Sequence, residues 1–329
     1  MNEMQSVVIH ESGKPDEVVR VESGAPPEPA GGEALVRMSF APVNPADLNF
    51  IEGTYGKKPE FPAVPGSEGV GEVVATGAGV DSPRVGEIVI LPAGAGSWRS
   101  HLTIDASRLI RVPADADPRQ LAMLRVNPAT AFRMLHDFVA PEAGGWVVQN
   151  AANSGVGMAV VRIARRLGLR SVNVVRREEL REPLREAGAD VVILDRREDF
   201  KQVAELTGGA GIRLGLNAVG GDNALGVASC LAPGGVHVTY GAMGREPLRI
   251  PNSFLIFKDI QFRGFWVTRW FEQAAQDAVE GMFATLGAMV RDGELKIPVA
   301  AEYPLVEAAE ALRHAASDQR GGKILLNLE

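Results

Sequence analysis

The segment from Val147 to Arg177, VVQNAANSGVGMAVVRIARRLGLRSVNVVRR, holds the residues whose types and spacing most suggest chemistry. A β-branched pair, Val147 and Val148, enters an Asn- and Gly-rich turn over Asn150–Gly157. That turn opens an amphipathic helix through Leu167, and a second β-branched run follows over Val172–Val175. The spacing predicts a βαβ unit. Ser154, Gly155 and Gly157 supply a tight turn with few side chains, so a pyrophosphate can approach the N–H groups and positive dipole at the helix start. The turn is not a strict G-x-G-x-x-G, because Ala151 and Ser154 stand where two glycines are expected. Taken alone, it also suits a plain strand-to-helix connection. Arg176 and Arg177 end the second strand, about twenty residues beyond the last glycine, where an acid would hold the ribose 2′-hydroxyl of NAD. An arginine there accommodates the 2′-phosphate of NADP, so these residues point to NADPH. The alternative is that both arginines are simply solvated.

Metal and nucleophile chemistry find little support. The five histidines, His10, His101, His136, His237 and His314, are dispersed, and Cys230 is the sole cysteine. No pair shows ligand spacing, and no disulfide framework is possible within the chain. Asp47 and Glu68 are hard carboxylates that make a poor zinc site without imidazole or thiolate, and they read better as hydrogen-bonding groups. No G-x-S-x-G elbow is present.

These residues must be positioned by a chain of 329 residues, 46% of them hydrophobic, which suits about two domains with real cores. A net charge of −7 argues against general affinity for nucleic acid or anionic membranes. The acidic, β-alternating N-terminus lacks the basic and apolar regions of a signal peptide, and no apolar run is long enough to span a membrane. A cytoplasmic protein is expected, or one of the mitochondrial matrix if a transit peptide has been removed. From Gln5 to about Val112, short strands alternate with Gly and Pro, predicting a mostly β domain. From about Asp117, helices alternate with six β runs: Trp146–Gln149, Ser171–Val175, Val191–Leu194, Leu214–Ala218, Val236–Tyr240 and Ile260–Arg263. That pattern predicts a doubly wound parallel sheet closed by a long helix near Phe271–Arg291. The tail from Ile297, ending in Lys323–Asn327, returns to β character and is expected to rejoin the first domain. The expected division is 1–116 with 297–329, and 117–296.

Gly66-Ser67-Glu68-Gly69-Val70-Gly71-Glu72-Val73 followed by Gly77 resembles the signature of medium-chain dehydrogenases/reductases. The resemblance implies a GroES-like, mostly β domain joined to a Rossmann domain. Finer motifs are similar to mitochondrial-type 2-enoyl thioester reductases: VNPADLN (43–49), EGTYG (52–56), VNPATAFRML (126–135), QNAANSGVG (149–157), NVVR (173–176), LIFKDI (255–260) and RGFW (263–266). In zinc-dependent members of the superfamily a His follows the first signature glycine and a Cys lies upstream. Here Ser67 and the Asn44–Asp47 stretch occupy those regions, which implies a zinc-independent enzyme.

The resemblance implies hydride delivery from NADPH to Cβ of an α,β-unsaturated thioester on CoA or acyl carrier protein, with protonation at Cα. The family's proton-donor tyrosine falls on Tyr55. Its loop, Glu52-Gly53-Thr54-Tyr55-Gly56, has flanking glycines that let a side chain reach into a cleft, and a phenol carries an O–H donor. By the same resemblance Asn127 lies on the nicotinamide side, Asn153, Ser154, Gly155 and Val156 form the pyrophosphate turn, and Arg176 and Arg177 meet the adenosine phosphate. Tyr240, Gly241, Ala242 and Met243, and Phe265, Trp266 and Val267, match cofactor-contacting segments, and Lys323 matches a late lysine near the cofactor. A homodimer formed edge to edge through the Rossmann sheets is also implied, with the apolar Ile260–Trp266 run as contributor. Arg125 departs from the family, which commonly has a small residue there. It could clash with the backbone path, bind a substrate phosphate or point to solvent. Two rival functions are an NADPH:quinone oxidoreductase on the same scaffold and a non-catalytic dinucleotide-binding protein with a structural or regulatory task.

Overall fold

The computed structural model describes residues 3–140, 142–317 and 320–329. Two compact units emerge, Met1–Val126 with Ala275–Glu329, and Asn127–Ala274.

The first unit is mostly β. A hairpin-like pair, β1 (Met4–Ile9) and β2 (Val19–Gly24), runs antiparallel. A larger sheet uses β3 (Glu33–Pro42), β4 (Val70–Thr76), β5 (Ile88–Ile90), β6 (His101–Asp105) and β7 (Ile110–Arg111). Val36, Met38, Val73, Val89, Trp98 and Leu102 fill its core. The signature glycines are explained by backbone proximity. A Cβ on Gly71 would stand 2.4 Å from the Arg37 carbonyl oxygen, and one on Gly77 would stand 1.8 Å from that of Ala30.

The second unit is a doubly wound parallel sheet of six strands. These are β8 (Trp146–Gln149), β9 (Arg170–Val175), β10 (Val191–Leu194), β11 (Ile212–Asn217), β12 (Leu231–Thr239) and β13 (Gln261–Gly264). They lie in the order β10-β9-β8-β11-β12-β13, so the order reverses beside β8. A ligand is expected at the carboxyl ends of the strands at that switch point. Strands β8, β9 and β10 carry buried runs of Val, Ile and Leu, as strands covered on both faces do, whereas the edge strand β13 is mostly exposed. Trp146, Val148, Val172, Val174, Val203 and Val227 pack in one cluster, and Met158, Val161, Leu184, Val192 and Leu194 in another.

The chain then returns to the first unit. Strands β14 (Val299–Pro304) and β15 (Lys323–Asn327) pair in parallel, and β15 pairs antiparallel with β3, so the tail completes the first sheet as expected. The long helix expected near Phe271–Arg291 is divided. Val267–Gln273 and Gln276–Arg291 are separate helices, with Ala274 and Ala275 extended at ψ 142° and 146°. The seams between units fall within the helical stretches that the sequence pattern assigned to the nucleotide-binding part. Gln120 shows why: its side chain donates to the Ile297 carbonyl at 3.0 Å and accepts the Ile297 N–H at 2.8 Å.

One core residue makes stability depend on pH. His237 on β12 is fully buried against Phe262, with ring centroids 5.0 Å apart. Burial pushes its imidazole down to about 4. The folded state therefore favours neutral histidine, so this contribution is complete above the ordinary histidine range near 6.5 and is lost as pH falls towards 4. The wild type should lose about 2 kcal/mol between pH 8 and pH 5 from this residue alone. Denaturant unfolding of the wild type and His237→Leu at both pH values measures the difference. Parallel pH dependence of the two proteins would refute it.

Candidate functional site

The nucleotide-binding unit builds its site at the end of β8. The chain leaves Gln149 and turns through Ala151, which adopts φ +47°, a left-handed conformation uncommon for a residue with a Cβ. Ser154 is extended and caps helix Gly155–Arg166, its Oγ accepting the Gly157 N–H at 3.1 Å. The two positions where glycines are expected are thus filled by an alanine that takes the turn conformation and a serine that takes the cap. Gly157 is required by packing, since a Cβ there would lie 2.4 Å from the Ala152 carbonyl oxygen. The turn brings Asn153, Ser154, Gly155 and Val156 to the helix N-terminus, where N–H groups and dipole suit a pyrophosphate.

Of the other predicted residues of this unit, Asn127 and Tyr240 lie against the turn. Asn127 begins helix Asn127–Asp137 and is buried, and a Cβ on Gly155 would lie 3.0 Å from its Oδ1. The Tyr240 hydroxyl is buried beside Ser154, and burial raises its pKa although the serine opposes the shift. Gly241, Ala242 and Met243 continue from it, and Met243 donates its N–H to the Ala218 carbonyl at 2.9 Å. Phe265 meets Phe138 edge-on at 5.9 Å. Trp266 is 44% exposed, whereas Val267 is buried at the start of its helix.

At the end of β9, Arg176 is exposed and Arg177 is half-buried. The acids that follow are already engaged: Glu179 meets Arg177 Nε at 3.0 Å and Glu178 meets Arg181 Nε at 3.1 Å. A 2′-phosphate at this strand end therefore meets arginine rather than an uncompensated carboxylate, which fits NADPH. The buried Tyr240 hydroxyl at the turn and the glycine-lined helix start likewise fit a dinucleotide.

Sequence reasoning missed a set of buried amides at the same strand ends. Asn150 and Asn217 are wholly buried and joined by a 2.7 Å hydrogen bond, and Asn217 Nδ2 donates to Thr239 Oγ1 at 3.1 Å. On the other side of β8, Gln149 donates to Asn173 Oδ1 at 2.7 Å and to the Gly157 carbonyl at 2.9 Å. The available signal was an amide closing each of several apolar strands.

In the first unit, helix Pro45–Ile51 positions the Tyr55 loop. Gly53 takes φ +73° and its N–H donates to the Phe50 carbonyl, and the Thr54 and Tyr55 N–H groups donate to the Asn49 carbonyl at 2.9 and 3.1 Å. Tyr55 is half-buried on this hook. Behind the helix start lies a buried polar cluster. Asp47 accepts the N–H groups of Asn44 and Ser67 at 2.8 and 2.9 Å, and Glu68 accepts from Asn44 Nδ2 at 2.8 Å and from the Val126 N–H at 2.7 Å. Lys323 Nζ donates to the Val43 carbonyl at 3.2 Å and to Asn44 Oδ1. Burial pushes Asp47 up to about 6, raises Glu68 and lowers Lys323, while the lysine ammonium and the Glu68 carboxylate each offset the other's shift. The two carboxylates thus act as hydrogen-bonding groups. No group of three or more His, Cys, Asp or Glu among the described residues could hold a metal.

Lys323 is engaged within this cluster, where it links β15 to the Asn44 corner. Arg125 does not point to solvent. It is 7% exposed, with its guanidinium 5.6 Å from the Phe283 ring centre, and burial lowers it to about 10 against the opposing pull of Glu68.

A profile described as "Alcohol dehydrogenase GroES-like domain" matches residues 30–114, and one described as "Zinc-binding dehydrogenase" matches residues 155–284. The chain is 39% identical over 333 residues to the human protein named mitochondrial enoyl-acyl-carrier-protein reductase, covering 99% of this chain and 89% of that protein. Among solved structures, the Etr1p complex with NADP and crotonyl-CoA aligns with a TM-score of 0.91 at 29% identity, covering 99% of this chain and 100% of that one. A putative NADPH:quinone reductase from Bacillus thuringiensis aligns with the same TM-score at 25% identity, covering 99% of each chain.

Proposed function

The chain belongs to the mitochondrial-type enoyl-acyl-carrier-protein reductases, and on that footing we propose that it reduces the C2–C3 double bond of trans-2-enoyl thioesters with NADPH. The fold is shared with a quinone reductase, so fold alone does not choose the reaction. The observation that carries the reading is Tyr55 on its hooked, glycine-flanked loop, in a chain matched over its length to enoyl reductases. Quinone reduction has no need of a proton placed at carbon.

NADPH supplies the hydride when bound. Ser154 and the N–H groups of the helix start hold its pyrophosphate, and Arg176 and Arg177 hold its 2′-phosphate. Asn127 and Tyr240–Met243 line the nicotinamide side, with Phe265 and Trp266 bordering it. Tyr55 holds the proton destined for Cα of the substrate. Asp47, Glu68 and Lys323 organise the backbone from Asn44 to the Tyr55 loop, and none is assigned to metal. Oxidation of NADPH measured with crotonyl-CoA, a longer enoyl-CoA and a quinone side by side tests the proposal. Turnover of the quinone alone would overturn it.

The assembly proposed is a homodimer. Among the described residues strand β13 ends its sheet, paired with β12, and Gln261, Arg263 and Gly264 are exposed. Ile260 is a core residue, 2% exposed, so the edge is extended instead by Ile256 and Phe257, which are 70% and 82% exposed. Such an edge with adjoining apolar surface favours self-pairing. Light scattering at micromolar concentration should give twice the 35.0 kDa chain mass, and a monomer mass would refute the dimer. The compartment proposed is that of the thioester substrate, cytoplasm or mitochondrial matrix, which cell fractionation tests.

A further inference from the structure

The motif Gln149–Gly157 contains a side chain that cofactor contact leaves without a task. Asn150 is wholly buried immediately after β8. A primary amide offers two N–H donors and a carbonyl acceptor, all of which need partners when buried. Asn150 Nδ2 donates to Asn217 Oδ1 at 2.7 Å and to Asn223 Oδ1, and its Oδ1 accepts the Ala218 N–H at 2.7 Å. Every one of these partners lies at the end of β11 or just beyond it.

From there the connection continues. Asn217 Oδ1 also accepts the N–H groups of Val219 and Gly220, both at 3.1 Å, which fixes the loop after β11. That loop holds the one after β12, because Met243 and Gly244 donate to the carbonyls of Ala218 and Val219, each at 2.9 Å. A Cβ on Gly241 would stand 3.0 Å from the Ala218 oxygen, so no side chain fits between the two loops. Sheet order supplies the direction. The strand order places β9 on one side of β8 and β11 and β12 on the other, so a nucleotide with its pyrophosphate at the β8 turn and its 2′-phosphate at the end of β9 would direct its remaining half over β11 and β12.

We propose that Asn150 is a positioning residue for the nicotinamide half of NADPH, setting the spacing between the pyrophosphate turn and the loops after β11 and β12. This rests on the NADPH assignment made above. The amide touches no reacting atom and acts through the backbone it holds.

Asn150→Asp keeps the shape but cannot donate to Asn217 and Asn223. Dissociation constants are measured for NADPH by its fluorescence and for 2′,5′-ADP, which carries the adenosine half alone, alongside thermal unfolding. Asn150→Asp should weaken NADPH about tenfold or more, the scale of a lost buried hydrogen bond, with 2′,5′-ADP changed by less than about twofold. Should Asn150→Asp fail to fold, Asn223→Ala, which removes one acceptor, should still weaken NADPH selectively. Parallel weakening of both ligands, or lowered thermal stability with NADPH affinity intact, would overturn the inference alone. A wild type that binds neither ligand would overturn the cofactor assignment and this inference with it.

Discussion

Tyr55→Phe should lower kcat for an enoyl thioester by about 10²–10⁴-fold, the usual contribution of a positioned general acid. The substitution removes only a hydroxyl. The loop is held through backbone bonds from Gly53, Thr54 and Tyr55 to Phe50 and Asn49, which a phenylalanine leaves in place. Folding and NADPH affinity should therefore hardly change. A substrate-packing role predicts a different pattern, with KM raised and kcat spared. Any quinone reduction should survive. Steady-state kinetics of both proteins with both substrate types decides the matter, and near wild-type kcat for the enoyl substrate in the phenylalanine variant would remove Tyr55 from the mechanism.

The second large effect concerns cofactor choice. Charge-assisted hydrogen bonds from Arg176 and Arg177 to a 2′-phosphate are worth roughly 1.5–3 kcal/mol, or about ten- to a hundred-fold in affinity. The double variant Arg176→Ala, Arg177→Ala should lose most of the preference for NADPH over NADH, chiefly by weakening NADPH. Arg177 also meets Glu179, so part of its charge is already compensated in the protein without ligand. Titration of both cofactors against wild type and variant reads the change. Equal affinities in the wild type would refute the role of this strand end.

Much of this architecture was legible before any coordinates, and the reasons are physical. Strands β8, β9 and β10 carry buried apolar runs of the kind a sheet covered on both faces requires, and all six strands overlap the segments where they were expected. The nucleotide turn announced itself through Ser154 and the two glycines that crowding demands. The break at Ala274 and Ala275 did not. Two alanines are the strongest of helix formers, no Gly or Pro marks the place, and tertiary packing overrides their preference. The Asn150–Asn217 bridge was hidden because its partners are far apart in sequence, and an asparagine in a turn already has a local explanation. Arg125 resisted for a related reason, since its burial depends on Phe283, which reaches it from a distant helix.

The place of β15 has a consequence for how the protein is made. Leu325, Leu326 and Asn327 pair with Pro42, Ala41 and Phe40, so the first unit lacks a strand until the ribosome has passed the whole nucleotide-binding unit. The nucleotide-binding unit is continuous from Asn127 to Ala274 and possesses all six of its strands long before that moment. Domains fold as units as they emerge, at about 5–20 residues per second. Completion therefore runs against sequence order: the nucleotide-binding unit has all six of its strands first, and the β3 edge at Phe40–Pro42 stays open and aggregation-prone until β15 emerges.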